Sequence, residues 1–150
     1  MRGSALGTKN PCRAVAFLRR NHLNGNVYTP LWWGSYLSWE LYPAVRISMD
    51  GRNISLFSRD MVFENLTFYT TVPPEAEVEA PLRYASDFLL IPTDSRILAS
   101  IRTDRRWQTI HEDSDAVLFL RADPAHDALL RAFKDGLLQS PVEECPQSLR

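Results

Sequence analysis

The chain has 150 residues, 45% apolar and 23% charged, with a formal net charge of -1 and a pI near 6.3. That length gives one domain with a real core, burying about 70% of its unfolded surface, and the composition excludes disordered and fibrous classes. The balanced charge supplies no basic field for nucleic acid or an anionic membrane, and the apolar stretches fall far short of the roughly 20 residues a bilayer span requires.

Met1 to Thr8 look like an expression leader with a cloning scar, so residues 1–9 are set aside. The natural sequence is then expected to begin near Asn10 as a fragment of a longer protein, with a single α/β domain over 10–138 and a loose tail over 139–150. Asn10-Pro11 is a helix start, and Ala14, Val15, Phe17 and Leu18 form that helix's apolar stripe. Asn24-Gly25 ends it, and a short strand over 26–29 follows. The next stretch holds five large aromatics in eleven residues, Trp32, Trp33, Tyr36, Trp39 and Tyr42. Trp33, Leu37 and Leu41 fall on one helical face, and Pro43 closes the helix. Val45 to Met49 alternates as a strand and runs into an Asp50-Gly51-Arg52 turn.

Ser58 opens a helix to Thr70, and a connection rich in Pro and Glu leads to a helical turn over 82–85. Asp87 to Ile91 is a near-continuous apolar run, as expected of a strand buried on both faces. A short helix spans 95–102. Strands Trp107–Glu112 and Ala116–Arg121 then meet at Asp113-Ser114-Asp115 as an antiparallel hairpin. Asp123-Pro124 caps a last helix through Leu138. The alternation predicts an α/β fold: a three-layer Rossmann-like sandwich whose mostly parallel sheet carries an antiparallel edge hairpin.

No GxGxxG, GxxxxGK[ST] or GxSxG pattern occurs, so a dinucleotide fingerprint in its usual form and a hydrolase elbow are excluded, and no cofactor is expected. His22, His111 and His126 are scattered and read as solvated or structural, and no Cys/His cluster offers a metal site. Cys12 and Cys145 read as two unrelated thiols in preference to a disulfide. Asp50 and Arg52 are the candidate ligand contacts, because ligands of open α/β sheets bind beyond the carboxyl ends of strands. A plain turn is the stronger of the two readings of that tripeptide. Trp33 and Tyr36 complete the candidate ligand site, and Trp32, Trp39 and Tyr42 form a candidate interaction surface. Glu40 is expected to pair with an arginine, and the Asn53-Ile54-Ser55 and Asn65-Leu66-Thr67 sequons to be chance matches.

The run Pro11 to Asn21, followed by Gly25-Asn26-Val27-Tyr28, Trp33-Gly34-Ser35-Tyr36-Leu37 and a strand ending in Asp50-Gly51-Arg52, has a familiar pattern. It resembles the C-terminal extramembrane domain of bacterial multi-pass membrane proteins related to lipid-linked-sugar glycosyltransferases, of the mannosyltransferase and oligosaccharyltransferase type. The likeness covers Asn10 to Arg121. It implies a hydrophobic, many-helix N-terminal portion, a domain on the periplasmic or extracellular face of the membrane, and transfer chemistry in loops of the membrane portion. The domain itself would be a non-catalytic accessory module. Its partners would be the membrane-embedded part of its parent chain and a glycan or lipid-linked sugar acceptor. Two rival readings are a free-standing sugar- or nucleotide-binding protein or enzyme using Asp50, Arg52 and His111, and an interaction domain docking through its Trp-rich segment.

Overall fold

A computed structural model describes residues 9–47, 59–71 and 79–140. Helix α1 (Cys12–Arg20) forms where the apolar stripe predicts it, and Ala14, Val15, Phe17 and Leu18 are all buried. Strand β1 (Gly25–Tyr28) leads to α2 (Leu31–Leu41), whose Trp33, Leu37 and Leu41 face the core. Strand β2 (Val45–Ile47), α3 (Arg59–Thr70), α4 (Ala80–Arg83) and β3 (Phe88–Pro92) follow. Helix α5 (Ile97–Arg102) precedes the hairpin of β4 (Trp107–Glu112) and β5 (Ala116–Arg121), and a 3-10 turn over Pro124–His126 opens α6 (Asp127–Lys134). The fold is mixed α/β, with one open five-stranded sheet and six α-helices among the described residues.

The strand order is β2-β1-β3-β5-β4. β1 pairs in parallel with both β2 and β3, while β5 is antiparallel to β3 and to β4. Three parallel strands are therefore continued at one edge by the hairpin. Alternation along the inner strands divides the core in two. Phe88, Leu90, Ala116, Leu118 and Leu120 join α1 and α2 in one cluster, where Leu129, Leu130 and Phe133 of α6 also pack. Leu89, Ile91, Val117 and Phe119 join α3, α4 and α5 in the other. Strands β3 and β5 are buried along their whole apolar run because each face of the sheet meets helices.

Several details depart from the sequence expectation. Lys9, set aside with the leader, accepts a 2.7 Å hydrogen bond from the Trp33 indole. Gln139, assigned to the loose tail, is pinned to the end of α1: its N–H donates to Asn21 Oδ1 at 2.7 Å, and its C=O accepts from Asn21 Nδ2 at 2.8 Å. Helix α6 stops at Lys134 instead of Leu138, with Gly136 in the left-handed region at φ +72°. Cys12 is disulfide-bonded, which overturns the reading of two unrelated thiols. The other cysteine of the chain, Cys145, lies outside the described residues.

The turn between β1 and α2 is held by a residue with no obvious sequence signal for that duty. Asn65 of α3 is completely buried. Its Oδ1 accepts the Leu31 N–H at 3.0 Å, and its Nδ2 donates to the Thr29 C=O at 3.0 Å. It thus satisfies one of the orphan N–H groups at the start of α2. A side-chain nitrogen so buried and committed cannot carry a glycan in this fold, so the Asn65 sequon is structural. The Asn53 sequon lies outside the described residues.

Candidate functional site

The residues predicted from the aromatic segment separate sharply. Trp33 is only 3% exposed and its N–H is spent on Lys9, so the ring offers no face to a ligand and its assignment to a ligand site is corrected. Tyr36 is half-buried; burial first, and the Glu40 carboxylate second, push its hydroxyl above the ordinary tyrosine value. Trp32 is half-buried as well and packs against both core clusters, which makes it a bridge between them and not a surface ring. Trp39 and Tyr42, by contrast, are 79% and 74% exposed at the C-terminal end of α2. Glu40 forms the expected ion pair, with Arg19 of α1. Asp50 and Arg52 lie outside the described residues.

A second place gathers more chemistry. Between α1, β4 and α6 lies a cleft of about 410 Å³, lined by Arg13 and Phe17, by β4 from Thr109 into the hairpin turn at Asp113, and by Phe133 and Ser140. The backbone makes this cleft through one irregularity. In the β4–β5 register Thr109 faces Phe119 and His111 faces Leu118, so Ile110 is an extra residue in β4. Regular alternation would put His111 on the face opposite Ile110. The bulge cancels that step. Ile110 packs in the α1 cluster, and the His111 ring packs on Phe17 of α1, with centroids 5.0 Å apart and planes tilted by 31°.

Asp113 fixes the orientation of that ring. Its Oδ2 lies 2.6 Å from His111 Nε2, and its Oδ1 accepts the backbone N–H groups of Asp115 and Ala116 at 2.7 and 3.1 Å. Both side chains of the pair are more than nine-tenths buried. Burial pushes the Asp113 carboxyl up, but the His111 contact and the two backbone N–H donors outweigh it and hold the group below the usual carboxylate range. Two roles follow from one carboxylate: it closes the hairpin turn, and it holds the His111 tautomer so that Nδ1, unpartnered among the described residues, is the ring's remaining polar atom. Arg13 stands at the rim, with Nη1 donating to Ser114 Oγ at 3.2 Å. Glu112 in the lining is charged but occupied, since it is paired with Arg102.

No protein-family model, curated protein or solved structure matches this chain. Among the described residues no group of acidic, His or Cys side chains could hold a metal ion, and no helix is long and apolar enough to cross a membrane. Sequence reasoning read His111 as structural, with a ligand role only in the rival reading beside Asp50 and Arg52, and missed Arg13, Phe17, Asp113 and Phe133 as site residues. The spacing His111-x-Asp113 next to a turn was the available signal. It is faint, because a regular strand puts i and i+2 on one face whether or not they touch.

Proposed function

We propose that this domain is a non-catalytic binding module whose ligand occupies the cleft between α1, β4 and α6. One observation carries the reading: a β-bulge turns His111 onto Phe17, at a cleft whose walls also bring together Asp113, Phe133 and Arg13. Small-ligand sites combine apolar walls with a few oriented polar groups in this way. The volume and the mixed lining suit a single sugar unit, with its apolar ring face against the half-buried Phe133 and its hydroxyls toward His111 and Arg13. Asp113 spends its oxygens on the turn and on His111, a positioning duty that serves recognition.

The setting we assign is an accessory, extramembrane domain of a membrane-embedded glycosyltransferase-like protein, built as a three-layer Rossmann-like sandwich. The sequence pattern around Trp33-Gly34-Ser35-Tyr36-Leu37 and Asp50-Gly51-Arg52 supports the parentage. The disulfide at Cys12 supports an oxidising compartment, consistent with the periplasmic or extracellular side. Trp39 and Tyr42 supply the amphipathic rings with which such a domain would rest on the membrane portion of its own chain.

The test is an NMR titration of the amide and His111 ring signals with D-mannose, D-glucose and N-acetyl-D-glucosamine up to about 10 mM, a range that captures weak millimolar binding. Saturable shifts from Thr109 to Asp113 that vanish in His111→Ala support the cleft. Shifts confined to α2, or none with any of the three sugars, refute it.

A further inference from the structure

A polar cluster outside the cleft lies at the start of the helix that forms one of its walls. His126, at the end of the 3-10 turn before α6, lies between two carboxylates. Its Nε2 is 2.8 Å from Asp87 Oδ1 at the start of β3, and its Nδ1 contacts Asp123 Oδ1. A neutral imidazole has one N–H donor, so it can satisfy one of these contacts and must turn a lone pair on the other. Two ionised carboxylates on the two ring nitrogens are matched only by the imidazolium. The other oxygen of each carboxylate has a partner of its own. Asp87 Oδ2 is held by the Asn26 N–H at 2.8 Å, and Asp123 Oδ2 by Arg121 Nε at 3.2 Å, while Asp127, the first residue of α6, is exposed.

What this clamp fastens is otherwise lightly attached. Helix α6 has no fully buried residue, and only Leu129, Leu130 and Phe133 pack partway into the core. Its far side is tied by the Asn21–Gln139 amide pair. The segment from Pro124 to Gln139 is thus a strap fixed at two ends, and Phe133 in its middle lines the cleft.

We propose that the strap is a proton-dependent gate on the cleft: the His126 imidazolium, clipped between Asp87 and Asp123, holds α6 closed, and loss of its proton frees that end and opens the Phe133 wall. This rests on the cleft being the ligand site, but the strap can be tested without a ligand. Burial works against the imidazolium, yet the two carboxylates win and raise the His126 pKa above the ordinary histidine value. The sign then follows from linkage. The clamp is fully engaged below the unfolded value of about 6.5 and is lost as pH rises through the higher folded value.

The experiment is hydrogen exchange of the full chain between about pH 5.5 and about pH 8.5, corrected for intrinsic exchange, together with ¹⁵N shifts of the His126 ring. The expected result is a doubly protonated ring at the acid end and at least about a tenfold fall in protection over Ala128–Lys134 on going alkaline, with Leu89 and Phe119 unchanged. In His126→Gln the α6 protection should be low and flat with pH while the sheet amides keep theirs. Protection in α6 that is independent of pH, that falls together with the sheet, or a neutral ring at the acid end overturns the gate. Sugar binding at Thr109–Asp113 that persists with such a result would leave the cleft reading standing, and absence of binding with a working gate would remove the cleft reading alone.

Discussion

Replacing Asn65 with alanine tests whether one side chain holds the β1–α2 turn. The substitution removes the acceptor for the Leu31 N–H and the donor to the Thr29 C=O, both at 3.0 Å and both made by a residue with no solvent exposure. A buried polar group left without its partner costs about 1–3 kcal/mol. Two such groups, offset in part if a water enters the vacated space, predict a loss of about 4 kcal/mol. For a chain of this size that is a fall in Tm of about 8–16 °C. The assay is urea unfolding followed by tryptophan fluorescence and far-UV circular dichroism. Asn65→Asp sharpens it. The carboxylate keeps the acceptor but loses the donor and buries a charge, so this variant should recover stability relative to Asn65→Ala as pH falls and the acid regains a proton to give to Thr29. A loss below about 1 kcal/mol for Asn65→Ala would show that the turn stands without this side chain.

The other predictions use the same unfolding measurements. Gly25 sits at φ +139°, and a Cβ there would meet Asp87 Oδ2 at 2.6 Å; Gly25→Ala should cost about 1–3 kcal/mol and displace the carboxylate that receives the Asn26 N–H. An unchanged midpoint would mean that the backbone can relax away. Because the folded Asp113 carboxyl is held below its usual range, its contribution is present above the unfolded value of about 3.9 and is lost as pH falls through the folded one. Asp113→Asn should therefore flatten the acid limb of the stability profile, and an acid limb identical to the parent's would contradict the assignment. Reduction of the Cys12 disulfide should remove about 2–4 kcal/mol, and Cys12→Ser should be indifferent to reductant; equal midpoints with and without reductant would count against a structural role. Trp33→Ala should cost about 3–5 kcal/mol, whereas Trp39→Ala should stay within about 0.5 kcal/mol. Similar losses at the two positions would mean that the exposed ring also packs.

The difference between those two tryptophans shows how far the sequence could be read. Local periodicity located the elements well, and the hairpin strands Trp107–Glu112 and Ala116–Arg121 have the bounds expected of them. Period 3.6 also put Trp33, Leu37 and Leu41 on the buried face of α2. The same pattern was silent on the flanking rings. Trp32 and Trp39 both lie off the stripe, and only the neighbours brought by β1, α3 and the sheet decided that one bridges two cores and the other meets solvent. Asn65 was legible as a sequon and not as a plug, because its partners at Thr29 and Leu31 are more than thirty residues away.

The sequence by itself determined the succession of helices and strands and the doubly buried character of β3, since these depend on the order of apolar and polar residues within a few positions. The tertiary structure decided the rest. Whether β4 is regular depends on how it registers against β5, and the one-residue slip at Ile110 turns His111 from one face of the sheet to the other. Likewise, Asp87, Asp123 and His126 become a clamp only because β3 starts beside the end of its antiparallel neighbour β5. Candidate site and candidate gate both arise from contacts between segments distant in the chain, and no local pattern encodes such contacts.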